Sequence, residues 1–133
     1  MVNDSIGDLL TQIRNATAIK KEFIELPQTR KAEAVCMILK KHGFVADFKK
    51  FKDKAKPHKS LHIDLKYSPS GSPALSSLKC LSKPGRRLYK GWEELPASKG
   101  GRGLIIVSTS RGVMDSLSAH KKHLGGELWA EVF

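Results

Sequence analysis

Residues 60–67, SLHIDLKY, carry the clearest structural signal of the chain, because apolar and polar residues alternate strictly along them. Such alternation is typical of a β-strand in a sheet with one buried face and one exposed face. Residues 44–51 predict a partner strand, in which Phe44, Ala46 and Phe48 form the alternating apolar set. We interpret the lysine-rich segment 49–57 as the solvated tip of this hairpin. A shorter strand is predicted at residues 23–26.

Two amphipathic helices are predicted before the hairpin. Apolar residues recur three or four positions apart in residues 4–18, and Asn3 or Asp4 is the expected N-cap. The second helix is predicted over residues 29–42, and Gly43 directly after it suits the end of a helix. Its expected apolar face consists of Ala32, Val35, Ile38, Leu39 and His42.

Proline, glycine and serine fill residues 69–74, which we interpret as a linker. The elements expected after it are strands at 75–82, 104–107 and 127–133, a helical turn at 92–95 and one main helix at 115–124. Because helices and hairpins mix without regular β-α-β alternation, the fold class is predicted to be α+β in two small lobes. Residues 1–68 would form a helix-strand-helix-hairpin lobe, and residues 75–133 a mostly β lobe with one main helix.

The charge balance favours a polyanionic partner. The 133 residues include 24 Lys and Arg against 13 Asp and Glu, a net charge of +11, while 40% are apolar, which argues against disorder. No apolar run approaches the roughly 20 residues of a membrane helix, and the N-terminus lacks a signal or transit pattern. We therefore expect nucleic acid as the partner and no membrane. The alternative is that surface lysines simply confer solubility.

Motifs for catalysis, metal or cofactor binding are weak, so we expect none of these functions. Cys36 and Cys80 lie far apart and are predicted to be small buried residues in a reducing compartment. The five histidines lack metal-ligand spacing. Ser118 and Lys121 have a Ser-x-x-Lys spacing without the motifs that accompany it in acyl-transferring enzymes. The glycine run at 100–103 precedes a strand, whereas phosphate-binding loops follow one.

A cluster of hydroxyl side chains follows the apolar strand at 104–107. It consists of Ser108, Thr109, Ser110, Arg111 and Gly112. We interpret it as a strand-to-helix junction with free backbone N–H groups and a helix dipole. Hydroxyls suit RNA because they can pair with a base edge and with a 2′-hydroxyl. Helix capping with a turn is the alternative.

A second candidate patch interleaves cations with one aromatic ring. Its residues are Lys83, Arg86, Arg87, Tyr89 and Lys90, with Gly85 in the turn. Arginine can hold phosphates and a tyrosine ring can stack on a base. The alternative is a solvated turn whose Leu88 and Tyr89 fill the core. Thr29, Arg30 and Lys31, at a helix N-terminus, and Arg14 are further RNA candidates that could equally be surface residues.

Five segments, taken in order, resemble the family of bacterial-type small-subunit ribosomal protein eight. They are DLLTQIRNA at 8–16, GFVADF at 43–48, SKPGRRLY at 82–89, VSTSRGVM at 107–114 and LGGEL at 124–128. The resemblance implies two α/β lobes, of which the C-terminal one supplies most of the RNA contact. It also implies early, direct binding to the central domain of small-subunit ribosomal RNA.

The resemblance further implies contacts with the neighbouring ribosomal proteins five and seventeen and, as in some members, with the chain's own operon mRNA. The expected location is the cytoplasmic ribosome, or the stroma for a plastid protein. Carried over by position, the RNA-contacting residues would be Ser108, Thr109, Ser110, Tyr89, Arg86, Gly125, Gly126, Glu127, Thr29, Arg30 and Lys31. Glu127 would act as a hydrogen-bond acceptor. The alternatives are a stand-alone RNA-binding regulator or translational repressor, and a phosphate-handling enzyme.

Overall fold

The computed structural model describes residues 5–52, 54–55, 59–75, 77–82, 85–96 and 103–133. Two compact units are present, Ser5–Leu75 and a second formed by the described residues from 77 to 133. Each unit combines helices with antiparallel strands, which confirms the predicted α+β class. None of the described helices is long and apolar enough to cross a membrane.

The first unit is a three-stranded antiparallel sheet with two helices. Its elements are α1 (Ser5–Ala18), β1 (Phe23–Pro27), α2 (Arg30–Lys41), β2 (Val45–Lys52) and β3 (Lys59–Leu65). The strand order is β1-β3-β2, so the alternating stretch forms the middle strand. Leu61 and Ile63 are fully buried there, as predicted. The expected helix caps Asn3 and Asp4 lie outside the described residues.

The predicted alternation of β2 is wrong at its start. Val45 pairs with Leu65, but Asp47 pairs with Asp64, so Ala46 is an extra residue in a β-bulge. A bulge shifts the side-chain alternation by one position. Val45 is therefore buried and Ala46 exposed, the reverse of what the alternating pattern suggested. The strand also continues to Lys52, so the first lysines of segment 49–57 lie in the sheet and not at a hairpin tip.

The predicted apolar face of α2 is confirmed with one exception. Ala32, Val35, Ile38 and Leu39 are buried. His42 is exposed, because it is the C-cap of a helix that already ends at Lys41. Gly43 follows with a φ of +80°, the left-handed conformation that glycine adopts readily.

The second unit is built on a five-stranded antiparallel sheet. Its elements are β4 (Leu78–Cys80), β5 (Tyr89–Lys90), a 3-10 helix (Trp92–Glu94), β6 (Leu104–Thr109), β7 (Gly112–Asp115), α3 (Ser116–Lys121) and β8 (Gly126–Val132). The order is β4-β8-β6-β7, and β5 also pairs with β8. Ile105, Val107 and Leu128 form a buried cluster on β6 and β8.

The predicted linker folds into a turn that is held by hydrogen bonds to the residues just before it. Tyr67 pairs with Pro73 in an isolated bridge, and the Ala74 N–H donates to the Lys66 carbonyl at 2.9 Å. Inside the turn, the Gly71 N–H donates to the Ser68 carbonyl at 2.8 Å. That residues 69–74 separate two domains stays a prediction.

Candidate nucleic-acid interface

The hydroxyl cluster lies at the tip of the β6–β7 hairpin. Thr109 ends β6 and pairs with Gly112, the first residue of β7. The Thr109 hydroxyl donates to the Gly112 carbonyl at 2.7 Å and accepts from the Arg111 N–H at 3.1 Å. Gly112 has a φ of +115°, which other residues rarely adopt. Thr109 thus closes a turn that leaves Ser110 and Arg111 exposed.

The predicted strand-to-helix junction is therefore wrong. Strand β7 separates the hydroxyl cluster from α3, whose N-cap is Asp115, accepting from the Ser118 N–H at 3.2 Å. The helix N-terminus and its dipole are thus not at the cluster, and the Arg111 N–H is already bonded. Helix α3 is also shorter than predicted, ending at Lys121.

Two consecutive glycines let three strands meet closely beside this hairpin. A Cβ atom on Gly126 would overlap the carbonyl of Ser108. One on Gly125 would lie 2.5 Å from the Lys90 carbonyl oxygen and 2.8 Å from the Gly91 Cα. Any larger residue at either position would push β8 away from β6 and β5. The glycines thus permit a close approach between strands of the chain itself. The close approach of RNA at these glycines stays a prediction.

A buried serine holds the basic loop in place. The Ser82 hydroxyl accepts from the Leu88 N–H at 2.9 Å, and the Leu88 carbonyl accepts from the Leu128 N–H at 2.9 Å. Between them Arg86 and Arg87 are exposed, and Gly85 has a φ of +81°. Lys83 lies outside the described residues.

Tyr89 does not fill the core. Its side chain is 65% exposed, and that of Leu88 is 37% exposed. The alternative that these two residues pack inside the domain is therefore wrong. A tyrosine ring this accessible offers a face for stacking and a hydroxyl for hydrogen bonding.

Glu127 lies between the loop and the hairpin. It pairs with Tyr89 on β5 and with Ser108 on β6, so these three side chains share one face of the sheet. Its Oε1 accepts from the Trp129 indole N–H at 3.2 Å. Its Oε2 is buried without a hydrogen-bond partner among the described residues and lies 3.6 Å from Arg87 Nη1. The carboxylate thus keeps an unused acceptor within a basic surface.

The N-terminal candidates lie in the first unit. The Thr29 hydroxyl accepts from the Ala32 N–H at 3.0 Å and caps α2, so it already has a structural role. Arg30 and Lys31 are exposed in the first turn of that helix, and Arg14 is exposed on α1. The predicted site residues are therefore divided between the two units.

Two side chains considered for catalysis or metal binding, Ser118 and Cys36, lie in environments that do not favour reactivity. The Ser118 hydroxyl donates to Asp115 Oδ1 at 2.7 Å within the cap of α3. Burial raises the pKa of the Cys36 thiol to about 12, which suppresses the thiolate. Within the described ranges, no group of three or more His, Cys, Asp and Glu residues could hold a metal ion.

Residue-level reasoning missed two supporting residues, Ser82 and Trp129. Ser82 is 8% exposed and immediately precedes the basic turn, a position at which a polar residue can bond to the returning chain. Trp129 lies two residues after Glu127, and side chains two apart in a strand share a face. That spacing could have indicated the indole as a donor to the carboxylate.

Comparison with known proteins agrees with the resemblance seen in the sequence. The sequence model of the family described as "Ribosomal protein S8" matches residues 4–133. A Rhodopirellula baltica protein, "Small ribosomal subunit protein uS8", is 40% identical over 132 residues, covering 99% of each chain. The protein of that description from Nitratidesulfovibrio vulgaris is 42% identical over 133 residues, 100% of each chain. The "Small ribosomal subunit protein uS8c" of Chlorella vulgaris is 41% identical over 141 aligned positions, again 100% of each. Since these matches extend over almost the entire sequence, the chain belongs to the ribosomal protein S8 family.

Proposed function

We propose that this chain is a structural constituent of the small ribosomal subunit that binds the central domain of small-subunit ribosomal RNA directly and early in assembly. The names of its relatives support the ribosomal part of this proposal. The observation that carries the RNA-binding part is the row formed by Tyr89, Glu127 and Ser108 across β5, β8 and β6. This row places a ring, an acceptor and a hydroxyl on one face beside exposed arginines.

Hydroxyl readout is assigned to Ser108 and Ser110. Thr109 is occupied in the hairpin turn, so its contribution is to fix the position of Ser110 at the tip. A serine hydroxyl both donates and accepts, and it can therefore pair with a ribose 2′-hydroxyl or a base edge in the shallow minor groove of RNA.

Glu127 is assigned the role of an acceptor for an RNA donor. A carboxylate repels phosphate, so the group that approaches it must carry an N–H or O–H, such as a base amino group or a 2′-hydroxyl. The Glu127 side chain is 18% exposed, so a rotation of its carboxylate would bring the unbonded Oε2 to the surface, where its lone pairs can accept such a bond. Arg87, 3.6 Å away, reduces the cost of holding the negative charge there.

Phosphate contacts are assigned to the cations around this face. Arg86, Arg87 and Arg111 are exposed next to the row, and Tyr89 can stack on a base or sugar. Lys83 belongs to the same basic turn in sequence. From the first unit, Thr29, Arg30, Lys31 and Arg14 would hold a nearby RNA segment.

The wider role follows from membership of the family. We propose that ribosomal proteins five and seventeen are neighbours of the chain and that it resides on cytoplasmic ribosomes, or in the stroma if it is a plastid protein. Binding to its own operon mRNA would use the same face. The predicted division into an N-terminal lobe, a linker at 69–74 and an RNA-binding C-terminal lobe is part of this proposal.

The test is a filter-binding titration of the purified chain against a central-domain transcript of small-subunit ribosomal RNA and against a random-sequence RNA duplex. Ser110→Ala should cost about 1–3 kcal/mol on the transcript, since it leaves a polar partner unmet, and little on the duplex. Arg86→Gln should weaken both complexes and reduce the salt slope by roughly one ion. If Ser110→Ala lowered the affinity for both RNAs equally, hydroxyl readout by Ser110 would be contradicted.

Sedimentation separates this function from that of a stand-alone RNA-binding regulator. A constituent of the subunit should sediment with purified small subunits through a high-salt wash. A regulator should be released into the supernatant under the same conditions, and that outcome would contradict the structural role.

A further inference from the structure

Three aromatic rings of the second unit lie together at the end of α3. The His123 imidazole stacks on the Trp92 indole, with ring centroids 4.1 Å apart and planes 28° apart. The His120 ring lies 5.4 Å from the same indole, and its Nδ1 is 3.1 Å from the Trp92 carbonyl oxygen. Since a carbonyl only accepts, Nδ1 carries a proton and this bond fixes the ring. We name these three residues the Trp92 cluster.

His123 has an unfavourable backbone conformation. Its φ is +56°, a left-handed value that glycine adopts without steric penalty. The helix end explains this value, because the His123 N–H donates to the His120 carbonyl and the Leu124 N–H to the Ala119 carbonyl. It does not explain a histidine at that position. The imidazole is held against Trp92 despite the backbone penalty.

The Trp92 cluster adjoins the candidate interface through the backbone. Gly126 touches Ser108, and Gly125 touches Lys90 and Gly91. Trp92 follows Gly91 directly in the chain. Close backbone approaches at the two glycines therefore connect the hydroxyl hairpin to the segment that carries Trp92.

Positive charge accompanies the rings. Lys121 and Lys122 are exposed at the end of α3, as are His120 and His123, while Trp92 is half-buried. Cations at a helix C-terminus interact favourably with its dipole, which gives the two lysines a structural role. That role does not require the exposed imidazoles stacked beside them.

We propose that the Trp92 cluster is a second RNA contact region, in which an unpaired nucleotide stacks on the exposed face of His123 and its phosphates lie near Lys121 and Lys122. This inference rests on the proposed RNA-binding function. Every base offers a flat face to an aromatic ring, and cations beside the ring hold the backbone of the same strand. Trp92 holds the imidazole in place before binding, so little side-chain freedom is lost on stacking.

The decisive variants are His123→Gly and His123→Asn. Both residues tolerate the left-handed backbone, so the fold should be as stable as that of the wild type in urea unfolding, or more stable. Affinity for the central-domain transcript, measured by filter binding, should fall by about five-fold or more, because the stacking surface is lost. Unchanged affinity in both variants would overturn the proposal.

Lys20→Gly is the matched control. Lys20 is the other non-glycine residue with positive φ among the described residues, at +57°, and it lies in the first unit. This variant relieves the same backbone penalty without removing a ring, and we expect it to leave transcript affinity unchanged. A loss equal to that of His123→Gly would assign the effect to the backbone and would contradict stacking.

Fluorescence provides a second measurement. Adding the transcript should quench indole emission in the wild type. In Trp92→Phe the quenching due to Trp92 should be absent, and only the response of Trp129 should remain. Identical quenching in both proteins would overturn the proposal. If Ser110→Ala weakens binding while the His123 variants do not, this inference alone fails. A wild-type chain that does not bind the transcript overturns the proposed function as well.

Discussion

His62 in the first unit and Glu127 in the second are ionisable side chains on interior strands, and they differ in how fully their neighbours satisfy them. His62 Nδ1 lies 3.0 Å from Glu25 Oε2, and its Nε2 lies 3.0 Å from Asp64 Oδ1. Glu127 has one bonded oxygen and one buried oxygen without a hydrogen-bond partner among the described residues. The first arrangement is complete within the chain. In the second, Arg87 lies 3.6 Å from Oε2, beyond hydrogen-bond distance, and none of the described residues donates to that oxygen.

We propose that this difference separates a structural polar group, His62, from an RNA-binding one, Glu127. Carboxylates only accept, so two of them bonded to one imidazole require both ring nitrogens to be protonated. The Glu25 hydrogen bond, followed by that of Asp64, raises the pKa of His62 accordingly. Phe23 stacks on the same ring with centroids 4.5 Å apart. The cluster joins β1 to β3 and needs no ligand.

The largest expected effect is that of Glu127→Gln on RNA binding. Hydrogen bonds to charged groups contribute about 1.5–3 kcal/mol, so affinity for the central-domain transcript should fall by roughly ten-fold or more. The free energy of unfolding should change little, because the relief of a buried, incompletely bonded charge is offset by the loss of its ion pair with Arg87. Filter binding and urea unfolding measure the two quantities.

Glu25→Gln is the control for that variant, since it makes the same chemical change in the satisfied cluster. Its transcript affinity should equal that of the wild type. A comparable loss of affinity in Glu25→Gln would contradict the claim that Glu127, and not the His62 cluster, contacts RNA.

A smaller effect is expected from His62→Gln, this time on stability. The substitution leaves Glu25 and Asp64 close together without a cation between them, and we expect a loss of about 1 kcal/mol, typical of a partly exposed ion pair. Urea unfolding followed by circular dichroism measures it. An unchanged unfolding midpoint would mean that the imidazole contributes nothing to the sheet.

The smallest expected effect is the pH dependence of the same cluster. Because the pKa of His62 is raised in the folded chain, its stabilising contribution is fully present below the ordinary value of 6.5. That contribution is lost as the pH rises through the raised value. The difference in unfolding free energy between wild type and His62→Gln should therefore shrink from pH 6 towards pH 8, roughly the range in which a histidine titrates. A difference that grows with pH would contradict the protonated bridge.

Elements with long, regular patterns could be predicted from the sequence. The strict alternation of β3 and the helical spacing of α1 and α2 are local properties that follow from burying one face. The bulge at Ala46 could not be predicted, because it depends on how β2 pairs with its partner. Strand β7 has only four residues, and it depends on the turn that Thr109 and Gly112 close.

The sequence predicted which residue types form the candidate site, but it did not predict how they are arranged in space. Hydroxyls, arginines and a tyrosine were recognisable in the chain. The row of Tyr89, Glu127 and Ser108 depends on the register of three strands, and β5 is only two residues long. A two-residue strand has no periodicity to detect, so the geometry that gives Glu127 its neighbours exists only in the folded sheet.

Because Cys36 is buried, the rate at which its thiol is labelled reports how often the first unit unfolds locally. The Cys36 side chain is fully buried and its pKa is about 12, whereas Cys80 is only partly buried. A maleimide at neutral pH should thus tag Cys80 in the native protein and reach Cys36 only when the first unit opens. The rate at which the second adduct appears, followed by mass spectrometry, would give the rate of that opening. No additional cysteine needs to be introduced into the sequence.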